Sequence, residues 1–222
     1  MSEVQEQDLK RKRAPSKRAL ATKKRVFDAA ERVFAKHGFD GATIRDIATE
    51  AGEPVGTIHH HGGGKDALFH RTVARRAEHL SHVRLDALDR LRAENNLALV
   101  PLLDAFMRPF FELSTEEPRW RDYARLVAFV SADDRWRAIS AECFDPTADI
   151  FLTEIMALLP DAPRTKVAEG FVFSVSAMLA LLTSQGRIGA LGGGCASQEG
   201  QVDHLVRYCA AGLTCQTSPT SC

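Results

Sequence analysis

A chain of 222 residues is long enough to bury a sizeable core, and its 45% apolar and 26% charged residues are ordinary for a globular protein. No apolar run reaches eighteen residues and the N-terminal stretch is too basic for a signal peptide, so the sequence argues against a membrane protein and against secretion. The five cysteines are odd in number and form no CxxC pair, which argues against a disulfide framework or zinc module. We therefore expect a cytoplasmic protein with free thiols.

The formal net charge of zero conceals an asymmetry along the chain. Between Lys10 and Arg25 there are nine lysines and arginines and no acid, whereas residues 71–222 contain sixteen bases and nineteen acids. A basic arm of this kind either binds an anionic polymer, most often nucleic acid, or remains solvated as a disordered tail. Charge alone leaves both alternatives open.

Residues 1–16 show no periodicity and are predicted to be a flexible arm, whereas a helical pattern begins at Lys17 and continues to His37. Gly38 follows the last periodic residue, where a left-handed stop is expected. The apolar positions that repeat with helical spacing are Val26, Ala29, Ala30, Val33 and Phe34.

Two short helices are predicted next. Thr43 is placed to cap a helix that runs to Ala51, with Asp46 three residues after the cap. After Gly52, the pair Glu53-Pro54 opens a third helix that ends at His61.

The rest of the chain is also helical in period, beginning with a long helix from Asp66 to about Leu91 after the break at Gly62–Gly64. No segment alternates as a strand does, so the predicted fold class is all-α. Further helices are predicted over 97–114, 118–132, 136–143, 147–159, 165–185 and 201–214, and Gly186–Gly194 is predicted to be a break.

The spacing of residues 43–62 predicts a helix-turn-helix, in which the second helix enters the major groove of DNA. The side chains expected at the DNA are those of Pro54, Val55, Thr57 and His60, while Ile58 is expected to point inward and hold the helix in place.

The residues match something narrower than a generic helix-turn-helix. The stretch VFDAAERVFAKHGFDGATIRDIATEAG at residues 26–52, VGTI at residues 55–58 and KDALF at residues 65–69 together resemble the DNA-binding domain of the TetR family of bacterial repressors. The resemblance covers about sixty residues, from Ala21 to Leu80. It implies a three-helix DNA-binding head, a divergent helical ligand-binding body, and a homodimer on a palindromic operator that is released by a small molecule.

The resemblance also implies roles for individual residues. Thr43 would cap the second helix against a phosphate, Arg45 would lie near the DNA, and Thr57 would donate a hydrogen bond to the backbone or a base edge. Lys65, at the start of the fourth helix, would bind a phosphate.

Three positions depart from the family pattern. His59 stands where the family usually has a phosphate-binding Tyr, and its ring is expected to donate to the DNA there with a shorter reach. Gly62 stands where a Phe normally packs under the recognition helix, and Glu53 replaces a common apolar residue. Losing a buried Phe costs about 3–5 kcal/mol if nothing refills the space. These changes predict weak or altered DNA binding, and Phe at position 62 is expected to raise both stability and affinity.

The sequence does not favour a metal site, a phosphate loop or a catalytic site. Successive residues such as His59–His61 point about 100° apart on a helix and cannot share one ion, and His79 with His82 has no third ligand nearby in sequence. Gly62–Lys65 lacks the spacing of a phosphate loop, and no catalytic motif is present. We therefore predict no catalytic residues, no metal and no cofactor. Redox sensing by Cys195, Cys209 or Cys215 remains a minor alternative.

The body offers a dimer interface and a ligand cavity. The helix at residues 171–182 is apolar nearly all round, so it is either a monomeric core helix or pairs with 201–214 to form half of a dimer bundle. Aromatic residues of the middle helices predict an apolar cavity for a small hydrophobic effector, although they could equally be core. These residues are Phe106, Phe110, Trp120, Phe129, Phe144 and Phe151.

The predicted organisation is an arm at 1–16, a helix-turn-helix domain at 17–70, a ligand-binding and dimerisation domain at 71–215 and a tail at 216–222. The predicted function is a ligand-responsive, homodimeric regulator of transcription that binds double-stranded DNA. Two alternatives are an enzyme on a helical scaffold and a ligand-binding module with an attenuated head. Salt-dependent binding to duplex DNA would separate the regulator from the attenuated module.

Overall fold

A computed structural model describes residues 16–194 and 197–215. Those residues form eleven α-helices and one 3-10 turn, Asp134–Trp136, with no strand among them, which confirms the all-α prediction. Residues 1–15 of the predicted arm, Cys195 and the predicted tail 216–222 lie outside the described residues. The helices are α1 (Lys17–Gly41), α2 (Ile44–Ala51), α3 (Val55–Gly62), α4 (Lys65–Ala93), α5 (Leu99–Glu116), α6 (Arg119–Ala132), α7 (Arg137–Cys143), α8 (Asp145–Leu158), α9 (Arg164–Thr183), α10 (Gln185–Gly192) and α11 (Gln198–Cys215).

Helices α1, α2 and α3 pack on one another to form what we call the head, and helices α4 to α11 form the body. The five apolar residues predicted to make the inner stripe of α1 are all buried. Gly38 interrupts α1 at a φ of 68° and a ψ of 177°, after which the chain makes one more turn through Gly41. The predicted break at Gly38 is therefore confirmed, because a positive φ of this kind strains any residue with a Cβ.

Helix α2 begins with a complete capping box. The backbone N–H of Asp46 donates to Oγ1 of Thr43 at 3.1 Å, and the backbone N–H of Thr43 donates to Oδ2 of Asp46 at 3.0 Å. Gly52 closes the helix in the left-handed region at φ 63° and ψ 34°. Both ends of α2 follow the sequence prediction, because cap chemistry depends on residues three or four positions apart.

Acidic residues of α1 join the head to the body. Asp28 accepts hydrogen bonds from Lys24 at 2.9 Å and from Arg75 of α4 at 2.7 Å, and Nη1 of Arg119 at the start of α6 lies 2.5 Å from it. Burial by itself would raise the pKa of Asp28, but the hydrogen bonds from these three cations outweigh it and lower the pKa to about 2. Asp28 therefore ties three helices together as an ionised carboxylate.

A second ion pair lies deeper in the same junction. Glu31 is fully buried and accepts a hydrogen bond from Nε of Arg76 at 2.7 Å, and Arg76 also contacts Glu117 at 3.2 Å. Burial raises the pKa of Glu31, and Arg76 only partly offsets this effect. The guanidinium also lies over the ring of Trp120, 4.9 Å from its centroid. A buried pair of this kind is costly to separate, because each partner would be left as an unpaired charge.

Aromatic rings form a further contact between head and body, beside the ion pair of Asp40 with Arg135 at 3.1 Å. Phe39, in the last turn of α1, packs edge-on against Phe69 of α4 and Trp136 of the 3-10 turn, with ring centroids 5.3 and 4.7 Å apart. Burial of these rings fixes the end of α1 against the body.

The body packs around α4 and α9. Helix α4 lies against α5, α6 and α7, and α9 lies against α6, α8 and α11. Among the described helices, α9 alone is long and apolar enough to cross a membrane, and a core helix of a helical bundle meets the same criterion. Within the chain it packs against α6, α8, α10 and α11, which bury 44% of its apolar window.

The predicted break at Gly186–Gly194 is wrong over residues 186–192, because Gln185–Gly192 forms α10. The chain leaves the helix at Gly193, at φ 67° and ψ 15°, and at Gly194. Each interior glycine costs a helix about 1 kcal/mol relative to alanine, which weakens a helix without forbidding it. Apolar and small residues between the glycines allow two turns to form.

The structure also corrects the expectation of an empty space under α3. Gly62 is buried, and a Cβ built on it would lie 2.6 Å from Cδ1 and 3.0 Å from Cβ of Leu68. Leu68 is itself fully buried. The side chain of Leu68 therefore occupies the space that a larger residue at position 62 would need, and the predicted gain from Phe at that position is wrong.

We predict that Gly62→Phe lowers the free energy of unfolding by about 1–3 kcal/mol, because overpacking displaces Leu68 from a filled core. Urea unfolding measures the loss. Gly56→Ala is the matched control, since a Cβ there meets nothing within 4 Å and the exposed helical site favours alanine. Unfolding of Gly62→Phe at the wild-type urea concentration would contradict the packing seen here.

We predict that Asp28→Asn costs about 1–2 kcal/mol at pH 7. The folded-state pKa of Asp28 lies below the ordinary 3.8, so its contribution is complete above pH 3.8 and fades as the pH falls toward 2. The difference in free energy of unfolding between wild type and variant should therefore shrink as the pH falls from 3.8 toward 2, as measured by urea unfolding at each pH. Glu50→Gln, which breaks an exposed pair with Arg32, should change stability by less than about 0.5 kcal/mol. A gap independent of pH would argue against the ionic role.

Candidate DNA interface and effector cavity

Helix α3 presents the face that the sequence predicts. Ile58 is fully buried, Val55 and His60 are exposed, and Thr57 is half-buried. The helix begins after Pro54, whose carbonyl accepts a hydrogen bond from the N–H of Thr57 at 2.9 Å. No side chain caps the first amides of α3. Ile58 thus anchors the helix while its N-terminal end points to solvent.

The turn before α3 is held from α1. Glu53 forms an ion pair with Arg25, and its side chain is largely buried. The departure at position 53 therefore supplies an acidic partner for one cation of the basic segment. Lys17, Arg18 and Lys23 remain exposed on the same helix.

Thr43 and Arg45 lie at the exposed start of α2. The hydroxyl of Thr43 already donates to Oδ2 of Asp46 at 2.7 Å, so the cap is confirmed while the implied phosphate contact stays a prediction. Arg45 is exposed and makes no ion pair with any described residue. A groove between the end of α2 and the start of α3 is lined by Arg45, Ala48, Thr49, Gly52, Glu53, Pro54 and Val55.

The three histidines at the end of α3 make different contacts, although the rings of His60 and His61 pack edge-on with centroids 4.9 Å apart. Nδ1 of His59 lies 3.1 Å from the carbonyl oxygen of Gly63, a distance suited to donation from the ring N–H. His60 is exposed, and the carbonyl of His61 accepts from Nη1 of Arg71 at 2.9 Å, which fastens α3 to α4. Burial lowers the pKa of His61, with a further contribution from the charge of His60.

Lys65 folds back onto the head. Its Nζ donates to the backbone carbonyl of Asp40 at 3.3 Å and lies over the ring of Phe39, 4.5 Å from the centroid. The phosphate contact implied for Lys65 therefore remains a prediction that requires the side chain to leave these partners.

A second site lies inside the body, as a cavity of about 260 Å³ between α4, α5, α6, α7, α8 and α9. Phe106, Phe110 and Phe144 line it, as the sequence suggests. The other lining residues most relevant to ligand binding are Arg84, Val127, Val130, Phe171 and Met178.

Trp120, Phe129 and Phe151 do not line this cavity, which corrects their assignment. Trp120 is buried at the junction under Arg76, Phe129 is 45% exposed on the outside of α6, and Phe151 is fully buried behind Phe106 with ring centroids 5.1 Å apart. Aromatic composition identified the helices around the cavity but could not tell which face of each helix is turned toward it.

Sequence reasoning missed Arg84 altogether. It stands four residues after Leu80 and four before Leu88, both buried, so it occupies a core position of α4. A charged residue in the apolar stripe of a helix was the available indication. Burial lowers the pKa of Arg84 to about 9.

One group of potential metal ligands comes together that the sequence does not suggest. His70 of α4 has its Nε2 3.0 Å from Oε2 of Glu142, and Cys143 completes a group whose ligand atoms lie within 4.8 Å of one another. Glu142 is exposed. Burial, followed by the charge of Glu142, raises the pKa of the Cys143 thiol to about 11. In this geometry the group joins α4 to α7.

Among the described residues, the histidine pair His79 and His82 forms no common site, and the thiol of Cys209 is buried. His79 packs against Trp120, with centroids 5.8 Å apart, while His82 lies 3.5 Å from Asp86, so the two imidazoles serve different neighbours. Burial raises the pKa of Cys209, and a raised pKa makes a thiol less reactive.

Apolar side chains remain exposed on α9 and α11. Val172 is 59% and Phe173 65% exposed on α9, and Tyr208 is 69% exposed on α11. The same two helices pack against each other within the chain. Val172 also lines the cavity, whereas Phe173 and Tyr208 do not; we refer to the exposed side chains of Phe173 and Tyr208, on two helices that pack together, as the apolar face of α9 and α11.

Comparison with known proteins agrees with this arrangement. The profile described as "Bacterial regulatory proteins, tetR family" matches residues 26–72, and the profile "Tetracyclin repressor-like, C-terminal domain" matches residues 104–212. Among solved structures, a TetR-family transcription regulator from Shewanella sp. PV-4 superposes with a TM-score of 0.62 at 14% identity, over 86% of this chain and 95% of that one. A TetR-like transcriptional regulator from Rhodococcus sp. RHA1 gives 0.59 at 16% identity, over 91% and 97%. These two structures share the fold.

Relatives in sequence extend the match through the body. The HTH-type transcriptional repressor AcnR of Corynebacterium efficiens is 35% identical over 72 residues, which span 31% of this chain and only 38% of AcnR. The HTH-type transcriptional repressor SCO4008 of Streptomyces coelicolor is 31% identical over 165 residues, which cover 68% of this chain and 85% of that protein. With both domains matched in order, the chain belongs to the TetR family of transcriptional regulators, a non-enzymatic family with a DNA-binding head and a helical C-terminal domain.

Proposed function

We propose that the chain is a homodimeric transcriptional repressor that binds a palindromic operator through α3 and leaves it when a small apolar effector occupies the body. The observation that carries the proposal is the placement of both sites on one helix: α4 supports α3 through Leu68 and lines the cavity through Leu80 and Arg84.

The exposed end of α3 suits the major groove. Eight residues make a rod of about 12 Å, close to the width of that groove. Val55 offers an apolar contact for a thymine methyl, and Thr57 and His60 offer hydrogen bonds to base edges or phosphates. Arg45 is free to approach a phosphate, and Pro54 shapes the entry of the chain into the helix.

The basic segment extends this surface. Lys17, Arg18 and Lys23 are exposed on α1 and continue the run that begins at Lys10. Contacts to phosphates along one groove would add affinity that depends strongly on salt and little on sequence.

A dimer follows from the operator symmetry and from the exposed apolar face of α9 and α11. A palindrome needs two heads related by a two-fold axis. Phe173 and Tyr208 on this face would be covered by the same residues of a second copy, because a two-fold interface is self-complementary.

Repression is favoured by the names of the relatives, since SCO4008 and AcnR are both described as repressors. The apolar lining of the cavity favours a hydrophobic effector. Such a ligand weakens DNA binding only by favouring the conformation in which the two heads no longer fit the operator. We also propose that the protein acts in the cytoplasm, where its DNA is, without a membrane partner.

A ligand-binding module with an attenuated head is the second candidate. It is favoured by the composition of α3, which contains three histidines and no lysine or arginine. Duplex DNA binding separates the two candidates.

We expect selection from a random duplex library at near-physiological salt to enrich a palindrome. The purified full-length chain is incubated with the library, and the bound fraction is sequenced over several rounds. Half-sites separated by about one helical turn would match two α3 helices of a dimer. Absence of enrichment by protein that is folded and dimeric would refute the repressor and leave the ligand-binding module.

In the same assay, Arg45→Ala should weaken binding to every selected sequence and reduce the salt slope by about one phosphate contact. Arg90→Ala, an exposed arginine of the body, is the matched control and should bind as the wild type does.

We predict that Phe173→Glu converts the dimer to a monomer in light scattering, because a charge would be buried at the centre of the proposed interface. Leu20→Glu is the control: Leu20 is 52% exposed on α1 of the head, which packs on α2, α3, α4 and α6, and this variant should leave the dimer intact. A dimer that survives Phe173→Glu at micromolar concentration would place the interface elsewhere.

A further inference from the structure

Arg84 is the most buried arginine of the chain that lacks an acidic partner among the described residues. It is 6% exposed, its Nε donates to the carbonyl of Phe106 at 2.7 Å, and its Nη2 lies 3.7 Å from Sδ of Met178. The guanidinium carbon lies 3.8 Å from the centroid of the Phe106 ring. These contacts hold the side chain in place, but none of them supplies a negative charge.

Other arginines of α4 show what is missing. Arg75 pairs with Asp28, Arg76 pairs with Glu31, and even the more exposed Arg92 pairs with Glu154. Proteins rarely bury a cation without a counter-charge, because desolvation is then uncompensated. Burial lowers the pKa of Arg84, and no carboxylate among the described residues opposes that effect. The position is therefore one where an anion from outside the chain would be stabilised.

The space beside Arg84 is shaped for such an anion with an apolar tail. Arg84 lines the cavity together with Phe106, Phe110 and Phe171. Val127 and Val130 add aliphatic surface.

The rim of the cavity restricts the charge of that anion. Asp133, Asp134 and Asp145 lie there. The one arginine at the rim, Arg137, already forms an ion pair with Asp145, with Nη2 2.6 Å from Oδ2. A multiply charged head group, such as a phosphate ester, would be repelled by these carboxylates as it entered. A single carboxylate matches both the one buried cation and the planar fork of a guanidinium.

We propose that the cavity binds an apolar monocarboxylate, whose carboxylate pairs with Arg84 and whose aliphatic or aromatic part packs against Phe106, Phe110 and Phe171. Its role as the effector rests on the proposed function. The pairing with Arg84 does not, since it is a property of the cavity itself.

The test compares ligands that differ only in the charge of one group. Octanoate is titrated against octanamide, and phenylbutyrate against phenylbutyramide, into the full-length protein by isothermal titration calorimetry. We expect at least one carboxylate to bind roughly tenfold or more tightly than its amide, because a charged hydrogen bond to a buried guanidinium is lost in the amide. Equal affinities within both pairs, or no binding by either carboxylate at millimolar concentration, would overturn the proposal.

Variants at position 84 test whether Arg84 is the source of the preference for carboxylate over amide. In Arg84→Met the preference for carboxylate over amide should fall to within about twofold, while the amide still binds through its tail. Arg84→Lys keeps the charge without the fork and should retain part of the preference, which guards against a simple folding defect in the Met variant. Arg90→Met, an exposed arginine of α4 that does not line this cavity, should keep the full preference. A preference that persists in Arg84→Met would place the carboxylate elsewhere and overturn the proposal.

DNA binding by the same preparations separates this inference from the proposed function. If the carboxylate binds through Arg84 but leaves the selected operator occupied, the site stands and the effector role fails. If the operator is bound and the carboxylate preference is absent, the repressor stands and the inference about Arg84 fails.

Discussion

The pairing of two buried carboxylates of α1 with arginines of the body is the interaction on which the rest of the structure depends. Asp28 and Glu31 cannot lie in a protein interior without counter-charges, and the groups that neutralise them come mainly from α4 and α6. Separating the head from the body would leave several buried charges unpaired at once. The orientation of the head relative to the body is therefore fixed by these buried ion pairs as well as by apolar packing.

Helix α4 connects the recognition helix α3, the buried ion pairs of the junction and the cavity of the body. Within its 29 residues it supports the recognition helix through Leu68, pairs with the acids of α1 through Arg75 and Arg76, and contributes Arg84 to the cavity. A helix without a break moves as a unit over this distance, so a shift at Arg84 would be felt at the ion pairs of the junction. Phe39 against Trp136 provides a second contact through which α1 would follow the body.

Helix α3 is packed tightly against the rest of the head, but it carries no lysine or arginine. Leu68 packs closely against Gly62, Ile58 is buried, and Arg71 holds the last turn through the carbonyl of His61. Under the proposed function, the absence of lysine and arginine from α3 would shift the electrostatic part of DNA binding to α2 and α1. Under the proposed function, Arg45 and the exposed lysines of α1 would contribute most of the salt-dependent affinity.

Local features were readable from the residues because they depend on neighbours a few positions apart. The capping box of Thr43 and Asp46, the left-handed turn at Gly52, the interruption at Gly38 and the inward position of Ile58 all follow from cap chemistry and a period of 3.6 residues. The family resemblance rested on the same stretch, in which spacing and residue type are tightly restricted. The weakest local prediction was at α10, where glycine spacing alone underestimated helix formation.

What the residue order left open was everything that depends on which helices face one another. Trp120, Phe129 and Phe151 have the composition of a pocket lining, yet one is buried at the junction, one faces outward and one lies behind the wall. Leu68 fills the space beside Gly62 only because α4 folds back under α3. Arg84 becomes a ligand-binding candidate only because five other helices close around it. Such placements are set by long-range packing, which periodicity along a single helix does not encode.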